Sequence, residues 1–505
     1  MSSESTPADH ARVAQRAMSR QAFLRVFPGV MVAMFLAAAD QTILASALPT
    51  IASSLGGLAD LSWVVVAYLL TATIGAPLYG HLGDRFGRRR MLLAALSIFT
   101  AASVACALAP NLLALIIARA LQGFGGGGLM TLAQALIGEH VSPRERGRFS
   151  GYFATVFALA STSGPVLGAY LTEHLSWRAV FMINIPLGLL AAVLALRIPL
   201  SASPKRGRFR PDFVGAILFC TALPLLLFVL TSGGHRLAWT SPWLVTLTVV
   251  AVAGLVLLGW WERRAEDPLI PIRFLRVPAI ARSDALVVCF AAALFSTILY
   301  LPLYLQLGRG LRIGQSGVLL LPITLSMVVT SAIVGQLITR TGHVNIYPRI
   351  GLTLAMLAFA ALAASVSRAP TPVIMALTML VGVGLGTVMP PTQVTVQVAA
   401  GRDALGTATA SISVCRSIGG ALGVAITGTL LFAAIGGSDD AQGVLRQVIE
   451  EGPASIARLT AEQRAAVATH LDSAYRVIFA VLAAISACGA LIASTVPKVD
   501  WEERG

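Results

Sequence analysis

Tyr79-Gly-His-Leu-Gly-Asp-Arg-Phe-Gly-Arg-Arg-Arg90 sits between two long apolar runs, Ser62–Leu82 and Met91–Ala109. Asp84 lies in the middle of it, and Arg85, Arg88, Arg89 and Arg90 follow. A connection this short between two such runs reads as a charged loop at a membrane surface. Gly80, Gly83 and Gly87 are placed to let backbones approach closely and to let the chain turn sharply. The arginines mark the side on which positive charge is retained.

Composition extends that reading to the whole chain. Of 505 residues, 56% are hydrophobic and 12% charged, and the mean hydropathy is +0.79. A soluble globular chain carries about 25% charged residues, so this is a polytopic membrane protein. The formal net charge is +14. The positive residues fall mostly between apolar runs, so orientation in a bilayer accounts for them and no nucleic-acid partner is expected. The amino-terminal stretch is polar and arginine-bearing, and the first apolar run is long enough to span, so no removable signal peptide is expected. Cys106, Cys220, Cys289, Cys415 and Cys488 each lie inside an apolar run, and none forms a C-x-x-C pair. They read as small hydrophobes in packed helices, with neither a disulfide nor a metal site expected.

A spanning helix needs about 20 mostly apolar residues. By that test the chain holds fourteen. The first six are Val26–Leu48, Ser62–Leu82, Met91–Ala109, Leu112–Gly138, Phe149–Leu171 and Ala179–Leu200. Two more, Phe213–Thr231 and Pro242–Trp261, are separated by Gly233, Gly234 and His235. The last six are Ile280–Leu305, Gly317–Ile338, Ile346–Val366, Pro372–Val396, Leu405–Ala434 and Tyr475–Val496. With the amino terminus inside, the inner segments carry a roughly threefold excess of Lys and Arg over the outer ones. Both termini are therefore expected to be cytoplasmic. The expected plan is a cytoplasmic tail (1–25), a six-helix half (26–200), a basic linker with two inserted helices (201–279), a second six-helix half (280–496) and a short tail (497–505). The longest outer loop, 436–473, carries helical patterning at Val444–Glu450 and Ala461–His470, which predicts short surface helices. Gly335-Gln-Leu-Ile-Thr-Arg-Thr-Gly-His343 has the outline of Gly80–Arg88 and falls where a six-plus-six repeat requires it. Such repeats mark secondary transporters.

Two charged residues lie deep in spans. A carboxylate at depth is costly and marks function or a pairing partner. At ~1.5 Å per residue, Asp40 in the first span and Arg119 in the fourth reach similar depths, so the two can meet. Two readings stay open: a pair whose protonation couples to transport, and a permanent ion pair that only fixes helix packing. Gly123-Phe-Gly-Gly-Gly-Gly128 has the spacing of a dinucleotide loop, but it is embedded in an apolar span. Its glycines, Gly123 and Gly125 among them, serve close helix contact or bending instead. In the fifth span, Gly164-Pro165 with Gly168 predicts a kink with one smooth face; packing and hinge roles both remain open. Gly419 and Gly423 are a similar pair in the thirteenth span.

These motifs together are similar to those of the major facilitator superfamily, in its fourteen-helix drug:proton antiporter group, the EmrB/QacA-like exporters. Gly80–Arg90 resembles the G-x-L-x-D-R-x-G-R-[KR] signature. Asp40-Gln-Thr-Ile43 with Ala47-Leu-Pro49 resembles the first-helix motif. Arg119 with Gln122, Gly123 and Gly125 resembles R-x-x-Q-G-x-G. Gly164-Pro165 with Gly168 resembles the antiporter motif, and Ser176–Gly188 resembles the W-R-x-x-F-x-[IL]-N-x-P-x-G stretch. The resemblance implies an all-α integral membrane protein: two six-helix halves plus two helices between them. It implies proton-driven export of drugs or other amphipathic small molecules, cationic ones included, with no cofactor beyond the proton gradient. A periplasmic adaptor and an outer-membrane channel are partners it leaves open. Asp40, Arg119, Gln122 and Arg416 are the expected proton and substrate residues. Gly80, Gly83, Asp84, Arg85, Gly87 and Arg88 are the expected gating latch.

Other intramembrane polar residues carry weaker expectations. Arg416 in the thirteenth span either contacts substrate or pairs with a polar neighbour. Asp284 reads as interfacial, with a second proton site as the alternative. Met389-Pro-Pro-Thr-Gln393 is expected to break the twelfth span. Glu139 or Glu145 is expected to pair with Arg88 or its neighbours. A different cargo, such as a siderophore, lipid or metabolite, is the competing transport reading. A membrane enzyme finds no support, for want of H-E-x-x-H, G-x-S-x-G or clustered His and Cys.

Overall fold

The computed structural model describes residues 20–55, 62–141, 143–199, 212–233, 239–265, 276–309, 311, 319–401, 404–435 and 461–497. These residues are overwhelmingly helical. In chain order the first half is α1 (Arg20–Leu55), α2 (Ser62–Phe86), α3 (Arg88–Ala107), α4 (Leu112–His140), α5 (Pro143–His174), α6 (Ala179–Met182) and α7 (Asn184–Ala195). An inserted pair follows, α8 (Phe213–Ser232) and α9 (Pro242–Glu262). The second half is α10 (Pro278–Leu307), α11 (Leu321–Thr341), α12 (Ile346–Ser365), α13 (Thr371–Gly386), α14 (Met389–Ala400), α15 (Leu405–Ile435) and α16 (Ala461–Thr495).

Among the described residues, twelve helices are long and apolar enough to cross a membrane. α5, rich in Ser, Thr and Gly, and the broken pair α6–α7 are the remaining two of the fourteen expected spans. The polarity is arranged as a bilayer demands, with apolar side chains outward and polar ones inward. On α4, Leu113, Ile117 and Leu121 repeat every four residues and are exposed, while Arg119 and Gln122 on other faces are buried.

Both halves use one neighbour plan. α1 packs on α5 and α7, and α4 on α2 and α3; correspondingly α10 packs on α15 and α16, and α13 on α11 and α12. The halves meet along two seams, α2 against α15 and α5 against α11. The inserted α8–α9 hairpin lies beside the first seam. There Phe228 stacks on Trp63 of α2 (ring centroids 5.6 Å apart) and the Trp239 indole donates to Thr429 Oγ1 of α15 at 2.7 Å. Asp212 caps α8 and accepts from Trp261 Nε1 at 2.7 Å, tying the hairpin's two helices together.

Glycine sets how closely the helices approach. A Cβ on Gly123 would lie 2.2 Å from the Tyr68 carbonyl, one on Gly127 2.0 Å from that of Ala72, and one on Gly125 2.8 Å from Phe99 N. Alternate glycines on α4 thus face α2, α3 and α2 in turn. The second half repeats the device: Gly382 and Gly386 face α11, and Gly384 faces α12.

The structure corrects several expected boundaries. Tyr79–Arg90 is not a loop. α2 continues through Gly80, Gly83, Asp84 and Arg85, and α3 begins at Arg88, so Gly87 alone separates them. Its φ of 97° is open to glycine and costly for other residues. Gly342, at φ 70°, ends α11 the same way. The sixth span is two helices divided at Ile183, where the hydrogen-bond ladder is interrupted because Pro186 cannot donate to the turn before it. The twelfth span breaks at Thr387–Val388, just ahead of Pro390 and Pro391. Ala461–His470 is no separate surface helix: it runs unbroken into the last span. No Pro or Gly interrupts that stretch. Val444–Glu450 lies outside the described residues.

Candidate functional site

Three sites share one helix, α4. The first is a buried polar network in the first half. Arg119 Nη1 donates to Asp40 Oδ2 at 2.6 Å and to Gln122 Oε1 at 2.7 Å, and its Nε donates to the Val64 carbonyl at 3.2 Å. The other Asp40 oxygen, Oδ1, accepts from Gln122 Nε2 at 2.9 Å and from Asn184 Nδ2 at 2.7 Å. Gln122 Nε2 also donates to Ser103 Oγ at 2.8 Å. The Arg119 guanidinium lies 4.3 Å above the Tyr68 ring and 5.9 Å from that of Phe181. Asp40 and Arg119 are each 1% exposed, and Gln122 and Ser103 0%.

Asn184, at the start of α7, reaches Asp40 on α1 from a third helix. Every donor around Asp40 is aimed at an ionised carboxylate. Breaking one partner of a buried pair is costly when the other is left without a mate. Here Arg119 keeps Gln122 Oε1, the Val64 carbonyl and the Tyr68 face if Asp40 is neutralised. The network therefore has a second set of partners ready. It also touches the fifth-span motif: Thr42, two residues past Asp40, donates to the Ala160 carbonyl at 3.0 Å. A Cβ on Gly164 would lie 2.1 Å from Thr42 Oγ1. Gly168 is buried one turn further along α5, and the Pro165 side chain lies outside the described residues.

The second site is a cavity between the halves. Met34, Met130, Phe153, Phe290, Met327 and Met389 supply most of its apolar wall, and Gln134, Gln393, Ser331 and Arg416 its polar part. Gln393 Nε2 donates to Gln134 Oε1 at 3.2 Å across the interface. Their separation of 259 residues also relates Gly123, Gly125, Gly127 and Met130 to Gly382, Gly384, Gly386 and Met389. The repeat is thus written in α4 and α13–α14. Arg416 was grouped with Asp40, Arg119 and Gln122 from sequence, but the structure separates them. The three lie in the dry network, which forms no part of the cavity wall, while Arg416 lines the cavity.

The third site lies at the arginine-rich end. Arg88 Nη2 donates to Asp84 Oδ1 at 2.7 Å, and Arg88 Nη1 to Glu139 Oε2, also at 2.7 Å. Asp84 reaches across to the second half. Its Oδ1 accepts from Gly406 N and its Oδ2 from Thr407 N, both at 3.0 Å, capping α15. The carboxylate thereby satisfies backbone donors that the helix cannot and meets the positive end of its dipole. Gly80 permits the approach, since a Cβ there would lie 2.6 Å from the Gly406 carbonyl. Gly83 lets Leu132 pack, a Cβ there lying 2.5 Å from it. Of the two acids expected near Arg88, Glu139 fills the role; the Glu145 side chain lies outside the described residues. Asp284, expected at the interface, is buried at 3% exposure and accepts from Ser411 Oγ at 3.3 Å.

Asn184, Ser103 and Tyr68 escaped the sequence-based site. Asn184 stands in the Ser176–Gly188 motif, which was the available signal. Ser103 and Tyr68 carry none.

Comparison with known proteins supplies the context. The sequence model of the Major Facilitator Superfamily matches residues 30–424. Multidrug transporter protein MdtP of Bacillus subtilis is 33% identical over 410 residues, covering 81% of this chain and 75% of that protein. Multidrug resistance protein 3 of the same organism is 31% identical over 412 residues, covering 80% and 78%. Among solved structures, the proton:xylose symporter XylE aligns with a TM-score of 0.63 at 13% identity, over 96% of this chain and 98% of that one. At that identity the likeness concerns the fold alone.

Proposed function

We propose, from the premise that the chain belongs to the Major Facilitator Superfamily, that this multi-pass transporter is a proton-coupled antiporter. It exports amphipathic small molecules across the cytoplasmic membrane by alternating access, with the arginine-rich end and both termini in the cytoplasm. The observation that carries this reading is the placement of three functions on α4. Arg119 and Gln122 hold Asp40, Met130 and Gln134 line the cavity, and Glu139 holds Arg88 in the latch.

In this reading the latch closes the cytoplasmic face by joining Asp84 to α15. A proton arriving from the opposite face neutralises Asp40. Arg119 and Gln122 keep their bond to each other but release Asp40, α4 is freed from α1, and its far end loosens Glu139 from Arg88. The latch opens toward the cytoplasm, the proton leaves, and cargo enters. The cycle reverses with cargo bound. The multidrug names of the relatives support drugs or similar compounds as cargo.

Reconstituted transport under an imposed pH gradient tests this. Asp40→Asn, which cannot lose a proton, is expected to abolish the response of flux to the gradient while leaving the folded chain intact. An Asp40→Asn chain that still pumps at the wild-type rate and still follows pH sinks the proposal.

A further inference from the structure

Among the described residues, Arg416 is the one cavity-lining residue that carries a full charge. Among the described residues it makes no hydrogen bond or ion pair, and no Asp or Glu lines the cavity with it. Asp284, the acid on the facing α10, is engaged with Ser411, more than a turn away from Arg416 along α15. The two glutamines lining the cavity beside the guanidinium are bonded to each other. A guanidinium in apolar surroundings without a counter-charge is costly to maintain. Every other deep or latch arginine with a carboxylate in reach is paired, as Arg119 is to Asp40 and Arg88 to Asp84 and Glu139.

We propose that Arg416 is the recognition site for the acid group of an amphipathic organic anion, a carboxylate, sulfonate or phosphate ester, carried in the cavity between the halves. The planar guanidinium fork matches such a group in two parallel hydrogen bonds. The anion's apolar body lies against Met34, Met130, Met327 and Met389, whose flexible thioethers repack around different shapes, and against Phe153 and Phe290. A cation placed in the same cavity meets an uncompensated like charge and no carboxylate. The cargo is therefore narrowed from amphipathic compounds at large, cationic ones included, to anionic ones. This assignment rests on the reading of the chain as an exporter with its cargo in that cavity.

The test is equilibrium binding to the full chain in lipid nanodiscs, with protein-free nanodiscs subtracted to remove partition into lipid. The probes are 8-anilinonaphthalene-1-sulfonate, an aromatic monoanion, and ethidium, an aromatic monocation. The wild-type chain is expected to hold the sulfonate roughly tenfold or more tighter than ethidium, the size of one charge-assisted contact. Arg416→Met is expected to lose that advantage, and Arg416→Lys to keep most of it. Wild-type binding of ethidium as tight as that of the sulfonate overturns the proposal, and that comparison needs no variant to fold. Unchanged sulfonate affinity in Arg416→Met overturns it as well. Arg416-dependent sulfonate binding without pH-driven flux of either dye upholds the anion site while refuting proton-driven export. Ethidium flux that follows pH and ignores Arg416, with no sulfonate binding, refutes the anion site and leaves export standing.

Discussion

The Asp84 carboxylate accepts the backbone N–H of Thr407 at 3.0 Å, from the opposite half of the molecule. The same carboxylate takes Gly406 N and the Arg88 guanidinium. It is therefore both a helix cap and a clasp, and it exists only while the arginine-rich ends of the halves are together. Removing a cap carboxylate costs about 1 kcal/mol, here charged against one conformation rather than against folding. Asp84→Ala is expected to slow transport severalfold while cargo affinity stays within about twofold. Thiol labelling of a cysteine placed at Gln134, applied from the arginine-rich side, is expected to speed up. A wild-type transport rate, or a large fall in affinity with expression intact, counts against the clasp.

Two glycines, one within a half and one at the seam, predict opposite readouts. Gly123 meets Tyr68 within one half, and Gly80 meets Gly406 across the seam. Gly123→Ala forces two helices apart inside a packed unit, and overpacking of that kind costs about 1–3 kcal/mol. Its thermal midpoint is expected to fall by several degrees. Gly80→Ala forces apart only the halves, so its midpoint is expected to stay near wild type while labelling at Gln134 rises. Equal thermal losses in the two variants contradict the distinction between intra-half and inter-half contact.

What could be read in advance divides by physical cause. Hydropathy governs where a chain crosses a bilayer, so the runs that form the twelve long apolar helices among the described residues were legible, and rise per residue placed Asp40 and Arg119 at a common depth. Asn184 was not legible as an Asp40 ligand, because the two are 144 residues apart and only the packing of α7 against α1 brings them together. Across the halves Asp84 meets the backbone N–H groups of Gly406 and Thr407, with the Thr407 hydroxyl beside them, and backbone donors leave no mark in composition. Arg416 was visible as an intramembrane charge. Only packing could show that, among the described residues, it stands without a counter-charge in a different compartment from Asp40.

Asn184 gives a test of the network. Its amide donates to Asp40 Oδ1 at 2.7 Å. Asn184→Ala removes that donor from a buried carboxylate, and losing a hydrogen bond to a charged group costs about 1.5–3 kcal/mol. The thermal midpoint is expected to fall by several degrees and gradient-driven flux to drop severalfold, while equilibrium binding of cargo stays within about twofold. An Asn184→Ala chain with wild-type flux and a wild-type midpoint contradicts the assignment of Asn184 to the Asp40 network.

An anionic cargo fixes the electrical character of the exchange. A proton entering and a monoanion leaving each carry one positive charge inward, so no ratio of protons to anions makes the cycle electroneutral. One-for-one exchange moves two charges, and an inside-negative potential of 100 mV then contributes about 4.6 kcal/mol per cycle. A monocation exchanged for one proton moves no net charge. In proteoliposomes with equal pH on both sides, a valinomycin-imposed inside-negative potassium potential is expected to drive 8-anilinonaphthalene-1-sulfonate out of the lumen through the wild-type chain. Reversing the potential is expected to reverse the flux, and Arg416→Met to remove it. Sulfonate flux that ignores the potential contradicts proton-for-anion exchange, whatever its dependence on Asp40.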